Sequence, residues 1–187
     1  MGYLNKPISV EAQTAAHPHW CWASVTAAVW NYFEGAAFTM AQVVVLVLQP
    51  DCSGLFTADQ GEHEWDLASA LAMDNPGCPK PPHNHFAANG EANGQVAFED
   101  LQHQVDDLQR PVCVALTFDT SGGQLSHYCV INGVFMQDGE PWISLLDPAG
   151  VPPGQQAMSF AAFNSGKLTL DSDAAYPAVW SDTFYTQ

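Results

Sequence analysis

The chain has 187 residues, 47% hydrophobic and 13% charged, and its four Lys+Arg against twenty Asp+Glu give a formal charge of −16. So few charges among so many apolar and aromatic residues argue against intrinsic disorder. The acidic excess makes nucleic acid and anionic membrane surfaces poor partners, because both repel it. The excess serves solubility by self-repulsion, and it would also attract a basic peptide.

The length fits one domain over residues 1–187. No apolar run is long enough to cross a bilayer, the longest being Val43-Val44-Val45-Leu46-Val47-Leu48. The opening Met1-Gly2-Tyr3-Leu4-Asn5-Lys6-Pro7 lacks a basic start followed by an apolar stretch, so no Sec-type signal is visible. Cytoplasmic residence and export without a visible signal both stay open, and so does the oligomeric state.

In chain order, apolar residues at Trp22, Val25, Val29 and Phe33 predict a helix over Trp20–Phe33 that stops before Gly35. Ser24, Ala27 and Ala28 make a face small enough for a sheet to approach closely. Further helices are predicted over Met40–Leu48, about Glu64–Met73 and about Phe98–Leu108. The segment Asn75–Gly94, rich in Pro, Gly, Asn and His, reads as a long loop. After Pro111 the pattern becomes that of strands. Val112–Phe118 reads as a buried strand, Ser121-Gly122-Gly123 as a turn, His127–Val134 as a second strand, Asp138-Gly139 as a tight turn and Trp142–Leu146 as a third strand. Helices followed by an antiparallel meander define an α+β domain.

Five cysteines are too few and odd in number for a disulfide-built scaffold. Cys52 and Cys78, in loop-like surroundings, are the best candidates for a pair. Cys113 and Cys129 sit inside apolar strands and read as small core residues. Cys21 differs from these. In His17-Pro18-His19-Trp20-Cys21-Trp22 it stands at the mouth of a helix with no acidic side chain in its first two turns. A helix N-terminus favours a thiolate, and its unpaired N–H groups can hold a developing oxyanion.

A thiolate nucleophile needs a base, and the base needs an orienter. His127 begins an apolar strand, and Asp147 ends the next one, in Leu145-Leu146-Asp147-Pro148. Pairing through the turn at Asp138-Gly139 would bring the two together. Asn132 is a rival orienter, but five positions along a strand should turn it away from His127.

Taken together these segments resemble the compact bacterial branch of the papain-like cysteine peptidases, which contains secreted plant-pathogen effector proteases. The resemblance spans nearly the whole chain. It rests on Trp20-Cys21-Trp22-Ala23, Gln109-Arg110-Pro111-Val112, Gly122-Gly123 leading to His127, Asp147-Pro148, Phe160 and the ending Trp180-Ser181-Asp182-Thr183-Phe184-Tyr185-Thr186. It implies a papain-like α+β fold, with a Cys-bearing central helix packed on a C-terminal antiparallel sheet. It also implies peptide-bond hydrolysis of a protein or peptide substrate without cofactor, with Cys21 as nucleophile, His127 as base and Asp147 as orienter. The family's oxyanion-hole Gln has one counterpart here, Gln13, set further upstream than the family's spacing, with His19 as a substitute donor. Trp20, Trp22 and His19 would line the cleft.

Several alternatives remain. Acyl transfer and deamidation share the thioester. Asp51-Cys52-Ser53-Gly54 resembles the nucleophile motif of cell-wall peptidases in the same superfamily, although Pro50 and poor helical periodicity weigh against it. A papain-like module that only binds would have no need of Cys, His and Asp together. His83, His85 and Cys78, with His17 and His19 elsewhere, lack recognisable zinc spacing, so no metal site is expected.

Overall fold

The computed structural model describes residues 2–14, 17–48, 66–72, 85–93, 95–120, 123–149, 154–165, 168–170 and 173–187. Cys52, Cys78 and His83 lie outside the described residues, and with them the expected pair and the alternative nucleophile.

A short strand β1 (Gly2–Tyr3) precedes three helices, α1 (Cys21–Glu34), α2 (Met40–Leu48) and α3 (Leu67–Leu71). Strand β2 (Phe86–Asn93) and helix α4 (Phe98–Gln102) follow, and α4 widens into a π-helical turn over His103–Asp107. Then come β3 (Val112–Thr120), β4 (Gly123–Gln137), β5 (Glu140–Asp147), β6 (Gly154–Ser159), α5 (Phe160–Phe163), β7 (Leu168–Leu170) and β8 (Asp173–Thr186). The sheet has eight strands in the order β2-β8-β3-β4-β5-β6, with β1 added to β4 and β7 to β8, and every pairing is antiparallel.

Alternation along the strands builds two cores. Val112, Val114, Leu116 and Phe118 of β3 meet Ile131, Ile143, Leu145 and Trp180 on one face, where Phe98, Leu101 and Val105 from α4 and its π turn and Phe163 from α5 cover them. Cys113, Ala115, Val130 and Leu146 point to the other face, against Val25, Ala28 and Val29 of α1 and Leu67 and Leu71 of α3. A third cluster joins α1 to α2 through Trp22, Ala27, Trp30, Met40, Val43 and Val44. Ala28 therefore meets the sheet, as the small-residue face predicts, whereas Ala27 turns toward α2. No helix among the described residues is long and apolar enough to cross a membrane.

Local chemistry accounts for the element ends. Gly35 closes α1 in the left-handed region (φ 63°), and its N–H donates to the Asn31 carbonyl. Asp66 caps α3 by accepting from the N–H groups of Ala68 and Ser69. Gln109, at φ 56°, ends the π turn, and its side-chain amide donates to the carbonyls of Val105 and Asp106. Its backbone carbonyl accepts the Tyr32 hydroxyl of α1 at 2.7 Å, tying helix to sheet.

The structure corrects the sequence reading in three places. The predicted loop Asn75–Gly94 contains β2, whose Phe86–Asn93 pairs with β8 across an irregular register. The helix predicted to Leu108 is α-helical only to Gln102. The third helix is shorter than its prediction, Leu67–Leu71 with Asp66 as cap.

Candidate active site

Helix α1 begins at Cys21 itself. Its cap is Trp20, which makes no side-chain capping bond, and its first turn carries no acid. The helix start is held by packing and by Ser24, whose hydroxyl donates to the Glu11 carbonyl at 2.7 Å. This leaves the positive end of the helix dipole at the Cys21 sulfur. Cys21 is 5% exposed.

The sheet supplies the other groups. Asp138 (φ 51°) and Gly139 (φ 83°) form the two-residue turn of the β4–β5 hairpin, both in the left-handed region that such turns require. Near the turn the register pairs Val134 with Ile143 and Gly133 with Ser144. Continued unchanged, it would set Asp147 opposite Val130, on the face toward α1 and away from His127. It does not continue, because a shift between Ile131 and Gly133 leaves Asn132 as a bulge and re-pairs Ile131 with Leu145 and Val130 with Leu146. One step further, Asp147 lies across from Cys129 and shares the face of His127. The Asn132 carbonyl accepts the Leu4 N–H, and β1 pairs with Gly133 and Val134, which pins the bulge.

The result is a buried pair. His127 Nε2–H donates to Asp147 Oδ1 at 2.6 Å, and the same oxygen accepts the Ala149 N–H at 2.8 Å. The thiols of Cys129 and Cys21 are near enough to the imidazole to raise its pKa by hydrogen bonding. Since Nε2 faces the carboxylate, Nδ1 is the nitrogen left for Cys21. Burial alone would lower the imidazole pKa. The Cys129 sulfur, the Asp147 hydrogen bond and the bonds to both thiols outweigh it, and His127 titrates well above its ordinary value. Burial pushes the Cys129 thiol up to about 11 despite the opposing pull of His127. Burial also raises the Cys113 thiol, so it is an inert core group.

Of the three residues singled out in the sequence, His127 and Asp147 are hydrogen-bonded, and Cys21 opens α1 and acts on the imidazole pKa. Asn132 supplies none of the hydrogen bonds of the imidazole. Gln13 is beside the site. Its N–H donates to the Pro148 carbonyl at 2.8 Å, and its side-chain amide donates to the Pro18 carbonyl at 2.7 Å, linking the loop before Cys21 to the loop after Asp147. Trp20 and Trp22 belong to the α1–α2 core, 3% and 1% exposed, so the cleft-lining reading gives way to a packing role. The ring of His17 stacks on Trp20 at 3.7 Å. His19 is partly exposed on the same loop. His85, weighed above as a metal ligand, instead bridges Glu34 Oε1 and the Gln187 carbonyl, stacked on Phe33.

Sequence reasoning missed the contact of Cys129 with His127. The spacing of two on one strand was the signal, because it puts both side chains on one face.

Residues 3–167 match the family described as papain-like cysteine protease AvrRpt2. The chain belongs to that family. The protease is also similar in fold to solved structures. A structure from work on antibody cross-reactivity between the mite allergens Blo t 1 and Der p 1 superposes with TM-score 0.50 at 11% identity, over 96% of this chain and 67% of that one. Procathepsin L 3 of Tenebrio molitor larval midgut gives TM-score 0.45 at 14% identity, over 97% and 73%. Comparison with curated proteins returned no match. The fold is papain-like α+β, and the protein is a cysteine peptidase acting on protein substrate.

Proposed function

We propose that Cys21 is the nucleophile of this peptidase, His127 its general base and acid, and Asp147 the group that orients and charges the imidazole. The observation that carries the assignment is a single imidazole bonded at once to a buried carboxylate and to a thiol at a helix start. The proton shared by Cys21 and His127 rests on Nδ1, and the thiolate attacks the scissile carbonyl carbon. The N–H groups at the start of α1 stabilise the oxyanion, helped by the second side-chain N–H of Gln13. The C–N bond breaks as His127 passes its proton to the leaving amine, leaving a thioester on Cys21. Water, losing a proton to His127, then attacks the thioester carbon, the C–S bond breaks, and Cys21 leaves as the thiolate while the acyl group is released as the acid.

Residues 1–187 act in this reading as one domain, and the bacterial, secreted, effector-type character follows from the resemblance of the sequence to that branch.

Iodoacetamide labelling and peptide cleavage test the assignment together. Cys21→Ala should abolish both, and Cys52→Ala should retain both. Activity surviving in Cys21→Ala and lost in Cys52→Ala would overturn it in favour of the cell-wall peptidase chemistry.

A further inference from the structure

Cys129 takes no part in the reaction just described, yet it is fully buried beside the imidazole. The hairpin register sets it across from Asp147, and strand alternation puts it on the face of His127. A ring nitrogen of His127, the Cys129 Sγ and a carboxylate oxygen of Asp147 all lie within 4.8 Å of one another. Imidazole, thiol and carboxylate are the donor set that zinc takes, while magnesium and calcium are served by oxygen alone. Zinc bond lengths of about 2.0–2.3 Å place tetrahedral ligands about 3.3–3.8 Å apart. The His127 Nε2–Asp147 Oδ1 contact, 2.6 Å without the ion, therefore opens to admit it.

We propose that His127, Cys129 and Asp147 form a zinc-binding site whose occupation switches the protease off. This rests on His127 being the base. On binding, the ion displaces the Nε2 proton and the Cys129 thiol proton, both of which leave to solvent, and it replaces the His127–Asp147 hydrogen bond with two metal bonds. A water fills the fourth position. The imidazole is then held neutral, and the proton it shares with Cys21 stays on Nδ1, no longer acidic enough to pass to the leaving amine. Cys21 itself is not a ligand, which separates this site from simple capture of a metal by a catalytic thiol.

The test uses Co2+ as a spectroscopic stand-in on the full chain, with Cys21→Ala so that the catalytic thiol cannot contribute. A near-ultraviolet thiolate-to-cobalt charge-transfer band should saturate at one equivalent, and Zn2+ should displace it. Both Cys129→Ala and the volume-conserving Cys129→Val, each combined with Cys21→Ala, should lose that phase. Apparent affinity should fall by more than the roughly 10- to 100-fold that outer-shell changes cost. In the wild-type protease Zn2+ should inhibit, Mg2+ should not, and a chelator should restore activity. A band that disappears with Cys21 alone, that survives loss of Cys129, or that never forms would overturn the proposal. The band needs no turnover, so those failures leave the peptidase assignment standing. Binding through Cys129 without inhibition would overturn the switch, and the base assignment with it.

Discussion

At the scale of single residues, the site is governed by how tightly His127 holds its proton. Its pKa is raised on folding, so its contribution to stability is complete below the ordinary value of 6.5 and is lost as pH rises through the higher folded value. The stability gap between wild type and His127→Gln should therefore be constant on the acid side and narrow at alkaline pH, as read by urea melts across pH. Asp147→Asn keeps a hydrogen-bond acceptor but removes the charge that helps hold the proton. Under the proposed roles it should reduce kcat/KM by roughly 100- to 10,000-fold, the range for acid–base groups. It should also move the alkaline limb of the rate profile to lower pH. An unmoved limb in Asp147→Asn would show that the carboxylate does not set the titration of His127. Asp147→Ala should cost further stability, because it also strips the Ala149 N–H of its acceptor.

Elements explain how those residues meet, and how far the sequence foretold it. Helix α1 was legible from its 3.6-residue spacing and terminal Gly35, and β3, β4 and β5 from apolar runs punctuated by Asp138-Gly139. The contact of Asp147 with His127 was anticipated, but for an incomplete reason. The two-residue turn alone would send Asp147 to the wrong face, and the bulge at Asn132 that corrects it has no periodic signature. Strand β2 was illegible because Phe-Ala-Ala-Asn-Gly-Glu-Ala-Asn has neither alternation nor β-branched residues, and backbone pairing to β8 alone makes it a strand. Strand β8 carries Pro177, which argues against a strand from sequence, although Ala178–Trp180 and Asp182–Tyr185 pair with β3 on either side of a bulge at Ser181. Cys129 reads as core from its apolar strand, and its place beside Asp147 depends on which residue stands across the hairpin.

Two glycines of this hairpin give a matched test. At Gly139 (φ 83°) a side chain meets no neighbour, so Gly139→Ala should cost only the backbone strain of about 1–2 kcal/mol. At Gly133 a Cβ would run into the Tyr3 ring and the Ser144 Cβ, beside the bulge. Gly133→Ala should cost about 1–3 kcal/mol through overpacking, and it should also lower activity per folded molecule by loosening the bulge. Denaturant midpoints paired with active-site titration separate the two effects. Equal specific activity in both variants would show that the bulge does not position Asp147.

At the scale of the whole molecule, the charge of −16 acts on any substrate before contact is made. With four cations in the chain, a Lys- or Arg-flanked peptide approaches through an attractive potential and an acidic one through a repulsive potential. Such a field changes association rates, by 10-fold or more at low salt, while leaving the chemical step alone. It is screened within a Debye length of about 10 Å at 0.1 M salt. Two peptides with the same scissile core, one flanked by Lys and one by Glu, should therefore differ in kcat/KM at low ionic strength and converge as salt is added. The basic peptide should lose rate and the acidic one gain it, and the effect should appear in KM, with kcat nearly constant. Parallel salt curves for the two peptides would mean that the acidic surface serves solubility alone. A salt effect on kcat would place the charge sensitivity within the His127–Asp147 pair, whose burial should otherwise shield it from bulk ions.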